Sequence, residues 1–157
     1  MNIVGIDPGL RVTGCVGVKY SRRGSWNVVL MQELKTNARD SLPLRIAAIY
    51  KGITGIFRNF SPDVVVLEKI YSHYKHPATS ALLGHIRGVI ILAAELSGVE
   101  VAEMPATALK KAVTGRGHSS KNQMKMMVSY FAGFNKPLKS EHLSDALGLA
   151  IAFTHRL

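Results

Sequence analysis

Two short segments are apolar at every position, and both stop on a carboxylate. Ile3-Val4-Gly5-Ile6 runs into Asp7, and Val64-Val65-Val66-Leu67 runs into Glu68. A strand that is apolar on both faces needs cover on both sides, as a central strand has in a sheet flanked by helices. Between the two, Leu44 to Phe60 repeats apolar residues at helical spacing (Ile46, Ile49, Tyr50, Ile53, Ile56, Phe57, Phe60), and Pro62 ends the pattern. Strand, helix and strand in this order form a crossover unit, so the strands run parallel as neighbours if they share a sheet. Asp7 and Glu68 then stand at one sheet edge, where open α/β sheets bind ligands. Pro8-Gly9 turns the chain immediately after the first carboxylate. Burying a carboxylate without a partner is costly, so Asp7 requires a cation, hydrogen-bond donors or a proton.

The rest of the chain supplies the cover. Val12 to Lys19 and Trp26 to Leu34 read as strands joined by a hairpin at Ser21-Arg22-Arg23-Gly24-Ser25, which makes the N-terminal third an antiparallel meander. Gly14 and Gly17 inside a strand suggest a bulge or a close backbone approach. Thr36 to Pro43 reads as a loop. Thr79 to Ser97 reads as a helix apolar nearly all round, with Gly84 and Gly88 on one face; it is deeply buried or packs against a second copy. Val99 to Ala102 is a fifth strand, and Pro105 opens a helix through Val113. Ser120 and Gln123 have capping-box spacing for a helix to about Phe131, whose methionines (Met124, Met126, Met127) suit core filling. Gly133 to Lys139 is a linker, and Ser140 caps a final helix from Glu141 to His155. The expected fold class is α/β, a five-stranded mixed sheet flanked by helices. A length of 157 residues suits a single domain spanning residues 1–157.

Twenty Lys and Arg against ten Asp and Glu give a formal net charge of +10, which favours a polyanionic partner. A membrane is not expected. No apolar run approaches the ~18 residues needed to span one, Val89 to Ala94 being the longest, and the first residues lack a signal peptide's basic and apolar stretches. The lone Cys15 rules out an internal disulfide framework and suits a reducing, cytoplasmic setting. With so few acids, their positions carry information. In the final helix Glu141, His142 and Asp145 are spaced so that either His142 or Glu141 shares a face with Asp145. Acids at a helix start complement its dipole, which accounts for Glu141. Asp145 lies among Leu143, Ala146, Leu147 and Leu149 and reads as semi-buried.

The candidate cluster is therefore Asp7, Glu68, His142 and Asp145, with Glu141 ranked below His142. Hard carboxylate oxygens suit Mg²⁺ or Mn²⁺, and two such ions can activate a water and stabilise the leaving oxygen of a phosphodiester. Past Glu68, Tyr71, His73, Tyr74, Lys75 and His76 interleave aromatic and basic side chains, a pattern that stacks on bases and holds phosphates. The loop from Thr114 to Lys121 has two glycines, hydroxyls, Arg116 and Lys121; it lacks P-loop spacing but suits phosphate contacts.

Five stretches taken in order resemble the RuvC-type Holliday-junction resolvases of the RNase H-like nuclease superfamily. They are Gly5-Ile6-Asp7-Pro8-Gly9 with Thr13-Gly14, Val66-Leu67-Glu68, Gly84-His85-Ile86-Arg87-Gly88, Lys110-Lys111-Ala112-Val113-Thr114-Gly115, and Asp145-Ala146-Leu147 through His155. The resemblance implies an RNase H-like fold and a site with two Mg²⁺ or Mn²⁺ ions. Asp7 would bridge the ions, Glu68 would bind one, and Asp145 would bind from the final helix. His142 would stand at a position that holds Asp or His in the family. Lys110 and Lys121 match basic positions near the scissile phosphate and join the catalytic set. Tyr71 matches an aromatic that stacks near the junction centre, and Lys75, Arg87, Lys111 and Arg116 complete the expected DNA contacts with Tyr71, Lys110 and Lys121. The helix of Gly84 to Gly88 matches the family's dimer helix. The implied activity is symmetric nicking of a four-way DNA junction by a homodimer, in recombination and repair, leaving 5′-phosphate and 3′-hydroxyl ends, beside a branch-migration complex. A ribosomal RNA precursor-processing enzyme of the same superfamily is the alternative, and a non-catalytic DNA-binding module of that fold stays open. An actin-like or sugar-kinase ATPase needs two lobes, for which the chain is too short.

Overall fold

The structure is a computed structural model that describes residues 1–21, 23–69 and 77–157, the side chains of residues 77 and 78 excepted. Its strands are β1 (Asn2–Asp7), β2 (Val12–Tyr20), β3 (Trp26–Lys35), β4 (Val64–Glu68) and β5 (Glu100–Met104), and its helices are α1 (Leu42–Phe60), α2 (Pro77–Leu96), α3 (Ala106–Thr114), α4 (Lys121–Phe131) and α5 (Glu141–Thr154). All five strands form one mixed sheet in the order β3-β2-β1-β4-β5. β1, β2 and β3 pair antiparallel as a meander, while β4 runs parallel to both β1 and β5. Ile3 pairs with Val64 and Ile6 with Leu67, so Asp7 and Glu68 follow at the same edge.

The two-faced apolarity of the central strands has a direct counterpart in packing. Ile3, Val16, Val18, Val64 and Val66 point to one face and pack with α3, α4 and α5. Val4, Ile6, Cys15, Val65 and Leu67 point to the other and pack with α1 and α2. Each of these side chains is fully buried, and burying one such aliphatic group stabilises the fold by roughly 1.5–3 kcal/mol before entropy is counted. Cys15 sits inside the second layer, where burial, with a smaller contribution from Asp7, pushes its thiol up to about 12. The glycine-marked irregularity in β2 is a register shift between Gly17 and Val18.

Several boundaries differ from the sequence-based expectation. α1 starts at Leu42, two residues early, because Ser41 adopts an extended N-cap conformation and Pro43 fits the first turn, where no amide is needed. β5 extends to Met104 because Glu103 and Met104 pair with Leu67 and Glu68. Met126 does not fill core as expected: it is on the outward side of α4, while Met124 is buried and Met127 is packed against the core. The stretch after α3 is a tied turn. Gly115 takes the left-handed conformation that closes α3 (φ 74°), its amide donating to Lys111 O. The Thr114 hydroxyl bonds to Lys110 O at 2.8 Å and to the largely buried Ser119 hydroxyl, which donates to Arg116 O at 3.1 Å.

α2 also needs a correction. Thr79–Leu96 is long and apolar enough, with mean hydropathy 1.4, to cross a membrane by length and composition. Scanning for uninterrupted apolar runs misses this, because Ser80, Gly84, His85, Arg87 and Gly88 break the run without lowering the average enough. The inner face of the helix belongs to the core: Ile86, Ile90, Ala93 and Ala94 are fully buried. Its outer face is apolar and exposed at Leu82, Ile91, Leu92 and Leu96.

Candidate active site

The site begins where β1 and β4 end. After Asp7, the turn is clipped by Thr13, whose fully buried hydroxyl donates to Gly9 O at 2.8 Å while the Gly9 amide donates back at 3.3 Å. The following carbonyl, Leu10 O, accepts from the Thr36 hydroxyl at 2.5 Å and from Arg45 Nη2 at 3.1 Å, and Arg45 Nε donates to Thr36 at 3.0 Å. The turn that aims Asp7 is thus held from β2, from the loop after β3 and from α1.

α5 brings the second half of the site across the sheet, and two glycines admit it. A methyl group at Gly5 would overlap the Ala146 carbonyl oxygen, and one at Gly14 would overlap the His142 carbonyl oxygen. With no side chain at either position, the helix backbone lies directly on β1 and β2. Its first turn is fixed by Ser140, whose hydroxyl oxygen accepts from the Leu143 amide at 3.2 Å and lies 2.5 Å from Glu33 Oε1 on β3. Glu33 also pairs with Lys35 at 3.0 Å; the Ser140 hydroxyl and then Lys35 hold its carboxyl below the usual range.

His142 Nδ1 lies 2.6 Å from Asp7 Oδ2. When the carboxyl is ionised, the imidazole Nδ1–H is the donor. Asp7, Glu68 and Asp145 are each held above the ordinary carboxylate range, with burial as the largest cause in all three. Their mutual repulsion follows: Asp145 and Asp7 raise Glu68, and Asp7 raises Asp145. Opposing charges are close by. His142 and Lys121 favour ionisation of Asp7, Lys110 and Arg87 favour that of Glu68, and Lys121 favours that of Asp145. The carboxyls from β1, β4 and α5 therefore share one electrostatic neighbourhood. Among the described residues no group of three His, Cys, Asp or Glu side chains is drawn together as a formed metal cluster; the one direct contact within the set is that of His142 with Asp7.

The other expected site residues separate into groups. Lys121, first residue of α4, lies beside Asp145, Glu141 and Ser144 in a small crevice of about 20 Å³. Glu141 is felt by Asp145 but touches neither strand-end acid through a hydrogen bond or ion pair in this structure. Lys110 acts on Glu68, whereas its neighbour Lys111 lines a crevice of about 350 Å³ with Met104, Ala112, His155 and Arg156. The Arg116 side chain is exposed on the tied turn. Arg87, expected among the DNA contacts, is instead engaged within the chain: its guanidinium donates to Glu68 O at 2.7 Å and pairs with Glu103. Tyr71 and Lys75, with the rest of the aromatic and basic loop, lie outside the described residues. Sequence reasoning missed Glu33, Thr36, Arg45 and Glu103. The only prior signal was the spacing of charged and hydroxyl residues at strand and loop ends, and their partners are distant in the chain.

The fit to divalent ions rests on the donor set. Three half-buried carboxyls in one electrostatic neighbourhood, with the His142 imidazole on Asp7, supply hard oxygen and nitrogen donors of the kind such ions take. Asp7, Glu68, Asp145 and His142 are the groups suited to hold such ions.

Comparison with known proteins bears on the family and the fold. A family model described as crossover junction endodeoxyribonuclease RuvC matches residues 3–155. The chain is similar to the crossover junction endodeoxyribonuclease RuvC of Chlamydia felis, at 36% identity over 98% of this chain and 92% of that protein. It is similar to the protein of the same name from Paraburkholderia phytofirmans at 40% identity, over 99% and 84%. Among solved structures, Thermus thermophilus RuvC matches with a TM-score of 0.89 at 26% identity, covering 99% of this chain and 96% of that one. The same protein in complex with Holliday junction substrate matches with a TM-score of 0.89 at 25% identity, covering 97% and 92%. The yeast mitochondrial Holliday junction resolvase Ydc2, at 9% identity and a TM-score of 0.69 over 97% and 77%, shares the fold. The architecture is the RNase H-like α/β fold that the sequence resemblance implies. The chain belongs to the RuvC family of crossover junction endodeoxyribonucleases.

Proposed function

We propose that this chain is a divalent-metal-dependent endonuclease that resolves four-way DNA junctions as a homodimer, alongside branch-migration machinery. The observation that supports the reading is the placement of Asp7 and Glu68 at one sheet edge, with Asp145 of α5 within electrostatic reach of Glu68, in a chain of net charge +10. The acids would repel a DNA backbone on their own, so the site needs cations, and Lys110 and Lys121 stand next to it.

Asp7, Glu68 and Asp145, with His142, would hold one or two Mg²⁺ or Mn²⁺ ions. Bound there, the metal supplies an activated water and charge to stabilise the leaving oxygen of a phosphodiester. The protein's own groups do the rest. The His142 imidazole holds one Asp7 oxygen by its 2.6 Å hydrogen bond and so sets the carboxyl plane. Lys110 and Lys121 place positive charge where the scissile phosphate develops negative charge. Lys111 and Arg116, with Tyr71 and Lys75, extend the contacts to the flanking backbone and bases.

The homodimer reading is supported by α2, whose outer face carries exposed Leu82, Ile91, Leu92 and Leu96 and the open positions Gly84 and Gly88. A two-fold dimer matches the symmetry of a four-way junction and sets two sites on like-oriented strands. The test is cleavage of a synthetic four-way junction against linear duplex of the same sequence, with Mg²⁺ or Mn²⁺, for the wild type and Asp7→Asn. The expected result is paired nicks in the junction, little cutting of the duplex, and none by the variant. Equal cutting of both substrates removes the junction specificity, and unimpaired cutting by Asp7→Asn removes the site.

A further inference from the structure

We propose that Arg87 and Glu103 form a clamp that positions Glu68, and that Arg87 serves the reaction through this clamp and not by touching DNA. The inference rests on the metal-dependent nuclease reading above and assigns a role within that same site.

The geometry is specific to an arginine. One arm of the guanidinium, Nη1, donates to the backbone carbonyl of Glu68 at 2.7 Å, and the other, Nη2, pairs with Glu103. The Arg87 side chain is 11% exposed, so the group is largely withdrawn from solvent. Glu103 lies on β5 opposite Leu67, and the next amide, Lys69 N–H, donates to Met104 O at 2.8 Å. The last residue of β4 is thereby tied on two sides: to β5 through the backbone, and to α2 through Arg87. α2 is itself fixed on the sheet by Ile86 and Ile90, both fully buried.

Glu68 needs such a restraint. It is the last residue of a strand, and its carboxyl faces the like charges of Asp145 and Asp7. A strand end relaxing away from that repulsion would carry the carboxylate out of the site. A fork holding the carbonyl on one side and an acid on the neighbouring strand on the other opposes the movement. Lysine supplies one point charge and cannot span both partners. The clamp also joins the strand end to the helix whose outer face is the dimer surface proposed above.

The test uses the full chain as wild type, Arg87→Lys, Arg87→Met and Glu103→Gln. It measures Mn²⁺ affinity by electron paramagnetic resonance, four-way junction affinity in EDTA by fluorescence anisotropy, and single-turnover cutting at saturating junction. Loss of a group that orients a ligand lowers metal affinity or activity about 10–100-fold. The Arg87 variants are expected to lose about tenfold or more in Mn²⁺ affinity and cutting rate, with junction affinity within about twofold of wild type. Weakened junction binding with intact Mn²⁺ affinity would make Arg87 a DNA contact and overturn the clamp, as would no change in any readout. Should circular dichroism show that the Arg87 variants do not fold, Glu103→Gln decides. It keeps Arg87 and its bond to Glu68 O, and wild-type Mn²⁺ affinity and rate in that variant overturn the proposal. If the wild type binds Mn²⁺ but leaves the junction uncut, the nuclease reading fails on its own, and the Mn²⁺ comparison still decides the clamp.

Discussion

Glu68, Asp7 and Asp145 are costly residues for the fold, and the proposed reaction is what would make use of them. All three carboxyls are raised, chiefly by burial, and then Glu68 by Asp145 and Asp7, and Asp145 by Asp7 and Glu141. A raised acid binds its proton more tightly in the folded chain than in the unfolded one. Its contribution to stability is therefore full below the ordinary carboxylate range, about pH 4, and is lost as pH rises through the folded value. In the metal-free chain at pH 7, Glu68→Gln is expected to raise Tm by on the order of a few °C. The gain should shrink as the pH is lowered toward that range. Adding Mn²⁺ should stabilise the wild type and leave the variant unmoved. Thermal denaturation across pH with and without Mn²⁺ checks both signs, and a destabilised Glu68→Gln at pH 7 without metal would show that the carboxylate is already compensated. At this scale the sequence was informative about chemistry and poor about direction. Asp7 and Glu68 stand out because an apolar run stops on each. Arg87 was legible as a cation near the site, but not its bonds to Glu68 O and Glu103, because a motif does not say whether a guanidinium faces outward or back along β4. Glu103 is invisible beforehand, since its role exists only once β5 lies beside β4.

At the scale of elements, the site depends on how closely α5 can approach the sheet. Gly14 in β2 was legible as a position of close approach, but not what approaches it; the partner is the first turn of a helix more than a hundred residues later, with His142 at the contact. Gly14→Ala must push that turn away from Asp7. Overpacking of this kind costs about 1–3 kcal/mol, so urea unfolding should show a loss of that size. Cutting at a temperature where the variant is folded should fall further than the lost folded fraction explains, because the His142–Asp7 contact is displaced. A variant that loses stability but keeps the wild-type rate would show that the helix start is not set by this contact. Ser140→Ala tests the same docking from the other side. It removes the N-cap and the link to Glu33, for an expected loss of about 1 kcal/mol. The caps themselves were readable from local sequence: Ser140 caps α5, and Ser120 with Gln123 forms the reciprocal box on α4. Element ends set by pairing were not, which is why β5 runs two residues beyond its apolar stretch.

At the scale of the molecule, net positive charge is weighted toward the C-terminal third of the chain. From Pro105 onward the chain carries Lys110, Lys111, Arg116, Lys121, Lys125, Lys136, Lys139 and Arg156, and its only acids there are Glu141 and Asp145, both at the site. On the other side of the sheet, α1 and α2 enclose an apolar groove of about 540 Å³ lined by Ile46, Ala47, Tyr50, Val89 and Leu92, continuous with the exposed face of α2. In the proposed two-site enzyme the C-terminal cations would meet DNA and the apolar face of α2 a second copy. Leu92, 52% exposed, is the residue on which this division can be tested. Since it is already half in solvent, Leu92→Glu should change the Tm of the isolated fold by no more than about 2 °C. In a two-fold interface the same substitution places two like charges in an apolar contact, so sedimentation equilibrium should show wild-type dimers and variant monomers at the same micromolar concentration. With Asp7, Glu68 and Asp145 untouched, the monomer keeps the proposed site unaltered. It should still nick, but one strand per encounter, so that on a supercoiled cruciform substrate nicked circles accumulate before any linear product. A Leu92→Glu chain that still sediments as a dimer, or that linearises the cruciform as fast as the wild type, would move the association surface off α2.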